Sequence, residues 1–330
     1  MERQWRLLFL RCFPVQLRVV EGEDNRPLVL VQCDEDVGHA GDPMYYGIRQ
    51  FTSKVVLVQT IITPEDYEDS DFNLYTYGLM DYQYFICSNK DNLVSQAEQY
   101  GFELLFESDD YVLLKNTKVF SLYFVRHGQT DANVQGILAG SGTDAMLTEE
   151  GKSQARETGE ALRNIKFSNA FISEMTRTRD TANCILHENV NKTPRCQKVE
   201  YLNDFYWGDL EGMTLDEVRN QYPDFTIDGY IGSSTDTSFV SPVGSWSKSY
   251  TIDRFKKAFW LMAASSENDA NVLAVGHSGM LWYLQEQFSD EVAEGAVIDN
   301  ASITVICYDK GTWTLRYLNL SAEEFENLEL

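Results

Sequence analysis

The stretch SLYFVRHGQTDAN, residues 121–133, places Arg126 and His127 where an apolar run stops and Gly128 follows. A continuous apolar run of this length predicts a buried strand of a parallel sheet. In open α/β sheets the ligand lies beyond the carboxyl ends of the strands. We therefore expect a histidine and a permanent cation at the mouth of a functional site.

A second histidine occupies the same kind of position. His277 ends the apolar run NVLAVGH, residues 271–277, and the next residues, GMLWYLQEQF, predict a helix. The chain has only 4 histidines. A single histidine at a strand end is usually structural, but two in matching positions favour one shared site.

Two arginines add to this sheet edge. In SEMTRTRDTA, residues 173–182, Arg177 and Arg179 fall at the start of a predicted helix, directly after the predicted strand NAFISE. Planar guanidinium groups bind phosphate oxygens in pairs and keep their charge. The alternative is that they pair with surface carboxylates, which are abundant in a chain of net charge −24. The two histidines, together with Arg126 and these arginines, indicate a phosphoryl pocket at one edge of the sheet.

Strands and helices alternate after residue 118, which predicts an α/β fold: three layers, with a mostly parallel sheet covered by helices on both faces. Thr148 is the expected N-cap of a helix over 147–164. Runs at 301–309 and 312–320 predict a closing pair of strands. Residues 224–248, rich in Gly, Ser and Thr, predict an irregular insertion that is either a lid or a surface loop.

Residues 1–117 predict a smaller α/β domain, because 330 residues exceed one typical core. Apolar runs at 28–33, 54–62, 82–87 and 111–114 predict strands, and the segment before Gly101 predicts a helix. Asp109 and Asp110 mark the turn of an expected hairpin. The predicted domains are therefore 1–117 and 118–330.

Composition limits the partners and the location. Acidic residues outnumber basic ones by 51 to 27, so the surface repels polyanions and nucleic acid is not expected. Apolar clusters in the first twenty residues are broken by arginines, which gives no firm membrane signal. The 6 scattered cysteines, without a C-x-x-C pair, indicate free thiols and a cytoplasmic location; an extracytoplasmic protein with unpaired cysteines is the alternative. The sequence leaves the oligomeric state open.

Taken together, the motifs resemble those of the histidine phosphatase superfamily, also called phosphoglycerate mutase-like, over about residues 118–320. Five of its segments occur in order: Arg126-His127-Gly128 with Asn133; Ser173, Arg177, Thr181 and Ala182; LNDFYWGDLEG at 202–212; VLAVGHSG with His277 and Ser278; and NASITV near the end. Such a series is far more specific than any single motif. The resemblance does not extend to residues 1–117.

The resemblance implies a mechanism. His127 would attack phosphorus and form a phosphohistidine, while Arg126, Arg177 and His277 would hold the equatorial oxygens. Gly128, Asn133 and Ser278 would contribute to phosphate binding, Gly128 by letting the backbone approach the oxygens. No metal and no cofactor are expected. The substrate would be a phosphorylated small molecule or a phosphoprotein.

Two departures from the family pattern affect the reaction. The family's acidic residue is a glutamate, whereas this chain has Asp204, one methylene shorter; Glu211 is the alternative proton donor. Ser245 in SPVGSWS stands where many relatives have a glutamate. We expect a metal-independent phosphomonoester hydrolase. A phosphoglycerate-type mutase and a weakly active, phosphate-binding regulatory module are the alternatives.

Overall fold

The computed structural model describes residues 101–107, 111–236 and 238–328, together with short pieces at 8–9, 16–17, 28–31, 56–59, 81 and 84–88. The chain divides into two compact units. One comprises Phe120–Met262, Asp269–Tyr308 and Trp313–Leu330, and the other comprises Met1–Val119, Ala263–Asn268 and Asp309–Thr312. The boundary at residue 117 and the independent N-terminal domain stay predictions.

The unit that contains the N-terminus has two sheets among its described residues. Strands β1 (Leu8–Phe9) and β2 (Gln16–Leu17) pair antiparallel. The other sheet has the order β4-β3-β5-β7-β6 and consists of β3 (Leu28–Val31), β4 (Val56–Gln59), β5 (Tyr84–Ser88), β6 (Phe102–Glu107) and β7 (Tyr111–Asn116). The four predicted strands are thus present. The predicted helix before Gly101 and the turn at Asp109 and Asp110 lie outside the described residues.

The larger unit is built on a six-stranded sheet of order β10-β9-β11-β8-β12-β13. Its strands are β8 (Val119–Arg126), β9 (Phe167–Ile172), β10 (Cys196–Lys198), β11 (Ala270–Gly276), β12 (Ile303–Asp309) and β13 (Thr312–Leu320). β10, β9, β11 and β8 run parallel. The connection between β12 and β13 is only two residues long, which permits antiparallel pairing alone.

Eight α-helices accompany the strands in the described part of the chain: α1 (Asp131–Gln135), α2 (Glu149–Ala161), α3 (Thr176–Glu188), α4 (Leu215–Gln221), α5 (Ile227–Ile231), α6 (Lys248–Ser265), α7 (Met280–Gln287) and α8 (Ala322–Glu326). Thr148 caps α2 as predicted and accepts a hydrogen bond from Gly151 N. The insertion at 224–248 is not wholly irregular, because α5 forms within it. Among these described helices, none is long and apolar enough to cross a membrane.

Successive side chains of β8 point to opposite faces of the sheet, and both faces are apolar. On one face Phe120 packs against Tyr308 and Trp313, with ring centroids 5.2 and 5.7 Å away. On the other face Tyr123 packs edge-on against Phe167, at 5.6 Å, and against Phe325 of α8, at 6.2 Å. Each face therefore needs a covering layer.

Helices supply both layers. Ala182 and Ile185 of α3 belong to the core cluster that also contains Val125 and Phe325. On the opposite face Phe259 of α6 meets Trp313, at 5.2 Å, and Tyr283 of α7, at 4.6 Å. This confirms the predicted three-layer α/β class for the larger unit.

The parallel register brings the strand ends to one edge. Gly276, the last residue of β11, pairs with Arg126, the last residue of β8, and Val275 pairs with Ile172 at the end of β9. His127 N donates a hydrogen bond to Gly276 O at 3.0 Å. The residues that follow these three strands therefore meet, as the strand-end argument predicts.

Candidate active site

A cavity of about 330 Å³ opens at the carboxyl ends of these strands. Its polar lining comes from the strand ends and the loops after them, and its remaining walls are apolar and aromatic. The lining residues are Arg126, His127, Thr130, Asn133, Ile137, Leu138, Ala139, Arg177, Asp204, Phe205, Trp207, Ser278, Gly279, Leu281 and Trp282.

His127 lies in this cavity with only 4% of its surface exposed. Its Nδ1 lies 2.8 Å from Gly128 O. Since a carbonyl oxygen only accepts, Nδ1 carries the proton and Nε2 holds the lone pair. Burial, followed by the charges of Arg177 and Arg126, lowers the pKa of His127 well below the ordinary value. The ring is therefore a neutral imidazole with a nucleophilic Nε2.

Arg126, which lines the same cavity, has an unsatisfied donor. Its Nη1 donates to Ile298 O at 2.7 Å. Its Nε is buried and has no hydrogen-bond partner, one of two such side-chain nitrogens among the described residues. A buried cationic donor without a partner is costly, so this one favours an anionic ligand.

Arg177 is held by the loop that follows α1. It is 1% exposed, and its guanidinium donates to the carbonyl oxygens of Ala139, Gly140 and Thr143 at 3.0 to 3.3 Å. Nη2 also lies 3.5 Å from Asp204 Oδ2. These contacts fix a permanent charge at the cavity wall.

Asp204 lies largely buried in the cavity wall. Its side chain is 13% exposed, and its Oδ1 accepts a hydrogen bond from Phe205 N at 2.9 Å. Burial raises the pKa of this carboxyl group above its ordinary value, although the charge of Arg177 acts in the opposite direction. A raised pKa keeps the carboxyl protonated at a higher pH, as general-acid catalysis requires.

His277 lies behind the cavity wall and is fully buried. Its Nδ1 accepts from Arg177 Nε at 3.3 Å, so Nε2 carries the proton and donates to Ser173 Oγ at 2.8 Å. Burial and Arg177 lower its pKa well below the ordinary value. The resemblance implies that His277 holds phosphate oxygens, but here both ring nitrogens face protein groups.

Glu211, the alternative acid, is not part of the cavity lining. Its carboxylate accepts hydrogen bonds from Gly140 N, Gly142 N and Trp207 N, each at 3.1 Å. These bonds hold the same loop whose carbonyl groups bind Arg177. The structure therefore places Glu211 as a loop anchor.

The three predicted phosphate-binding residues separate into two groups. Asn133 and Ser278 line the cavity, whereas Gly128 does not. A Cβ at Gly128 would lie 2.2 Å from Gly151 O, at the start of α2. Close packing against α2, rather than approach to phosphate, is thus the reason for glycine at this position.

Two other positions from the sequence lie away from the cavity. Arg179 is half exposed and pairs with Asp180 at 3.0 Å, which is the surface pairing that the sequence left open. Ser245 Oγ donates to Tyr230 O at 3.1 Å, and this hydrogen bond joins two parts of the insertion at 224–248. Neither side chain contributes to the lining.

Sequence reasoning missed the aromatic walls, Trp207, Phe205 and Trp282. The signal was available: Trp207 lies within LNDFYWGDLEG, and Trp282 lies on the helix that follows His277. Bulky aromatic residues so near strand-end motifs are candidates for ligand contacts.

The charged lining comprises Arg126, Arg177 and Asp204 around the neutral His127. Over residues 111–236, 238–328 and the shorter described pieces, no group of three or more His, Cys, Asp and Glu side chains is arranged to hold a metal ion. A neutral imidazole, two fixed cations and a carboxyl group of raised pKa are the types of group that phosphoryl transfer requires.

Several curated proteins resemble this chain. Fructose-2,6-bisphosphatase TIGAR of Mus musculus is 38% identical over 105 residues, which is 30% of this chain and 38% of that protein. The 2,3-bisphosphoglycerate-dependent phosphoglycerate mutase 2 of Gloeobacter violaceus is 34% identical over 32% of this chain and 48% of its own length. A broad-specificity phosphatase of Saccharomyces cerevisiae is 25% identical over 59% of this chain and 82% of its own. The chain thus spans less than half the length of the first two.

Solved structures show the same fold. Phosphoglycerate mutase from Bacillus anthracis str. Sterne superposes with a TM-score of 0.53 and 24% identity, covering 64% of this chain and 98% of that one. A mycobacterial glucosyl-3-phosphoglycerate phosphatase gives 0.52 and 24%, covering 62% and 100%. The family model of the histidine phosphatase superfamily (branch 1) matches residues 122–321, more than half of the chain. The chain therefore belongs to the histidine phosphatase superfamily.

Proposed function

We propose that this protein is a metal-independent phosphomonoester hydrolase that acts through a phosphohistidine on His127. One observation carries the proposal. His127, a neutral imidazole with a free Nε2, lines the same cavity as Arg126, whose buried Nε has no hydrogen-bond partner. A phosphate monoester bound there would satisfy the arginine donor and place phosphorus near the nucleophile.

In the first step His127 Nε2 attacks phosphorus, and the bond from phosphorus to the ester oxygen breaks. The proton on Asp204 moves to that oxygen, so the leaving group departs as a neutral alcohol. Arg126 and Arg177 stabilise the charge on the equatorial oxygens, with hydrogen bonds from Asn133 and Ser278.

In the second step water attacks the phosphohistidine, and the nitrogen–phosphorus bond breaks. The Asp204 carboxylate accepts the proton of the attacking water, and inorganic phosphate leaves. His277 acts as a positioning residue in this scheme, because it accepts a hydrogen bond from Arg177 Nε and Arg177 in turn contacts Asp204.

Hydrolysis is favoured over a mutase reaction by the charges of the cavity. A mutase must hold a bisphosphate, yet Arg126 and Arg177 are the permanent cations among the lining residues that the structure describes. The weakly active binding module is disfavoured because nucleophile, cations and acid are all assembled. Release of phosphate, as opposed to isomerisation of a phosphoglycerate, separates the first two activities.

A phosphorylated small molecule is the proposed substrate, since the nucleophile is buried in a confined cavity. Cys184, Cys196 and Cys307 are free, which supports the proposed cytoplasmic location. Activity on phosphoproteins and a homo-oligomeric state stay predictions.

The test is phosphate release from phenyl phosphate in the presence of a chelator. His127→Asn removes the nucleophile, while His187→Asn makes the same change at a side chain that is 83% exposed. We expect turnover by wild type and His187→Asn and none by His127→Asn. Equal turnover by all three proteins would overturn the proposal.

A further inference from the structure

We propose that the alcohol portion of the substrate is aromatic or similarly flat and apolar, and that the substrate carries a single phosphate. This inference rests on the proposed function of the same site. It follows from an aromatic shelf, defined here as Trp207, Phe205 and Trp282, which lines the cavity beside the proton donor.

The shelf is a connected set of rings. Phe205 packs edge-on against Trp207, with centroids 4.8 Å apart, and against Trp282, at 5.2 Å. Phe205 is 2% exposed, so it supports the two partly exposed indoles from below. Indole faces held in this way offer a large apolar area at little entropic cost, because the rings are already ordered.

The position of Asp204 decides which part of the substrate meets the shelf. Asp204 protonates the ester oxygen, so the leaving group must lie beside it. Phe205 is the next residue, and a Cβ placed on Gly279, at the start of α7, would lie 2.9 Å from Asp204 Oδ1. Both indoles are therefore attached to segments that contact the acid.

Hydrogen bonds fix the backbone that carries the two indoles. Trp207 N donates to Glu211 Oε1 at 3.1 Å, and Trp282 N donates to Gly279 O at 3.2 Å. Together with the ring packing on Phe205, these bonds order the shelf without a ligand.

Charge argues against a second phosphate. Arg126 and Arg177 already serve the reacting phosphoryl group, and Lys248 Nζ lies 5.8 Å from the Trp282 ring centroid without lining the cavity. The net charge of −24 further disfavours ligands with four negative charges.

The test uses phosphonates, which bind without being cleaved, and measures their affinities by calorimetry. We expect phenylphosphonate to bind about tenfold more tightly than methylphosphonate or ethane-1,2-bisphosphonate. Trp282→Leu and Trp207→Leu should each reduce the ratio of phenylphosphonate affinity to methylphosphonate affinity. Trp260→Leu, on α6 and outside the lining, is the matched control and should retain the preference.

Equal affinity for the phenyl and methyl compounds would overturn the inference, and so would tightest binding of the bisphosphonate. A preference that survives both shelf substitutions would overturn it as well. Because binding is measured without catalysis, loss of the proposed hydrolase activity would be seen separately, as absent turnover with an intact phenyl preference.

Discussion

The Asp204 carboxylate lies 3.5 Å from Nδ1 of His277, a ring that solvent does not reach. Arg177 contacts both groups and links them to the loop after α1. The Asp204 carboxyl group is thus flanked by a buried imidazole and a fixed cation. This arrangement supports the proposed proton transfer by Asp204, in spite of its shorter side chain.

Asp204→Asn should slow the hydrolysis of esters with poor leaving groups. We expect about a hundredfold loss of kcat/KM for an alkyl phosphate, because the alkoxide then leaves without a proton. A nitrophenyl phosphate needs little protonation and should lose far less. Asp209→Asn, on an exposed neighbouring residue, is the control. Equal losses for the two esters would contradict the assignment.

The pH profile should report the lowered pKa of His127. The deprotonated ring is the active form, and burial with two arginines lowers its pKa, so activity should persist as the pH falls below the ordinary histidine value of about 6.5. The measurement is kcat/KM against pH for a nitrophenyl phosphate, corrected for titration of the substrate. An acidic limb at or above that ordinary value would refute the neutral nucleophile.

Glu211→Gln should destabilise the loop after α1 without changing the proposed chemical steps. The amide replaces one accepting oxygen with donors and leaves a backbone N–H unpaired, at a cost of about 1–3 kcal/mol in the free energy of unfolding. Activity should fall by the same factor for alkyl and aryl phosphates, since Glu211 donates no proton. Glu174→Gln, at an exposed carboxylate, controls for the charge change. A selective loss with alkyl phosphates would instead make Glu211 the acid.

Gly151→Ala should displace the loop that follows the nucleophile. The added Cβ would lie 2.0 Å from Gln129 O, a backbone atom that cannot move without shifting the residues after His127. We expect up to about a hundredfold loss of kcat/KM. Glu150→Ala, at the exposed preceding residue, should be near wild type. Full activity of Gly151→Ala would show that the packing is not required.

Much of the fold and part of the site follow from local sequence. Apolar runs that stop at His127 and His277 identify parallel strands with a shared edge, because the pattern and the topology both depend on burial. The pairing of Gly276 with Arg126, at the ends of β11 and β8, confirms this shared edge. The cap at Thr148 was equally predictable, since capping involves only the next few residues.

Other features depend on contacts between distant segments. Glu211 anchors the loop through the amide groups of Gly140 and Gly142, some seventy residues earlier. Arg177 pairs with carbonyl groups of the same loop, 34 to 38 residues earlier. Residue 128 is a glycine because Gly151 O approaches it closely. None of these relationships has a signature in the local sequence.

The most direct test of the account is the covalent intermediate itself. Wild-type enzyme is mixed with radiolabelled phenyl phosphate, quenched in base within milliseconds, and digested, and the labelled peptide is located by mass spectrometry. The account predicts a base-stable, acid-labile phosphoryl group on His127, and neither label nor turnover in His127→Asn. Label on another residue, or wild-type turnover by His127→Asn, would contradict it.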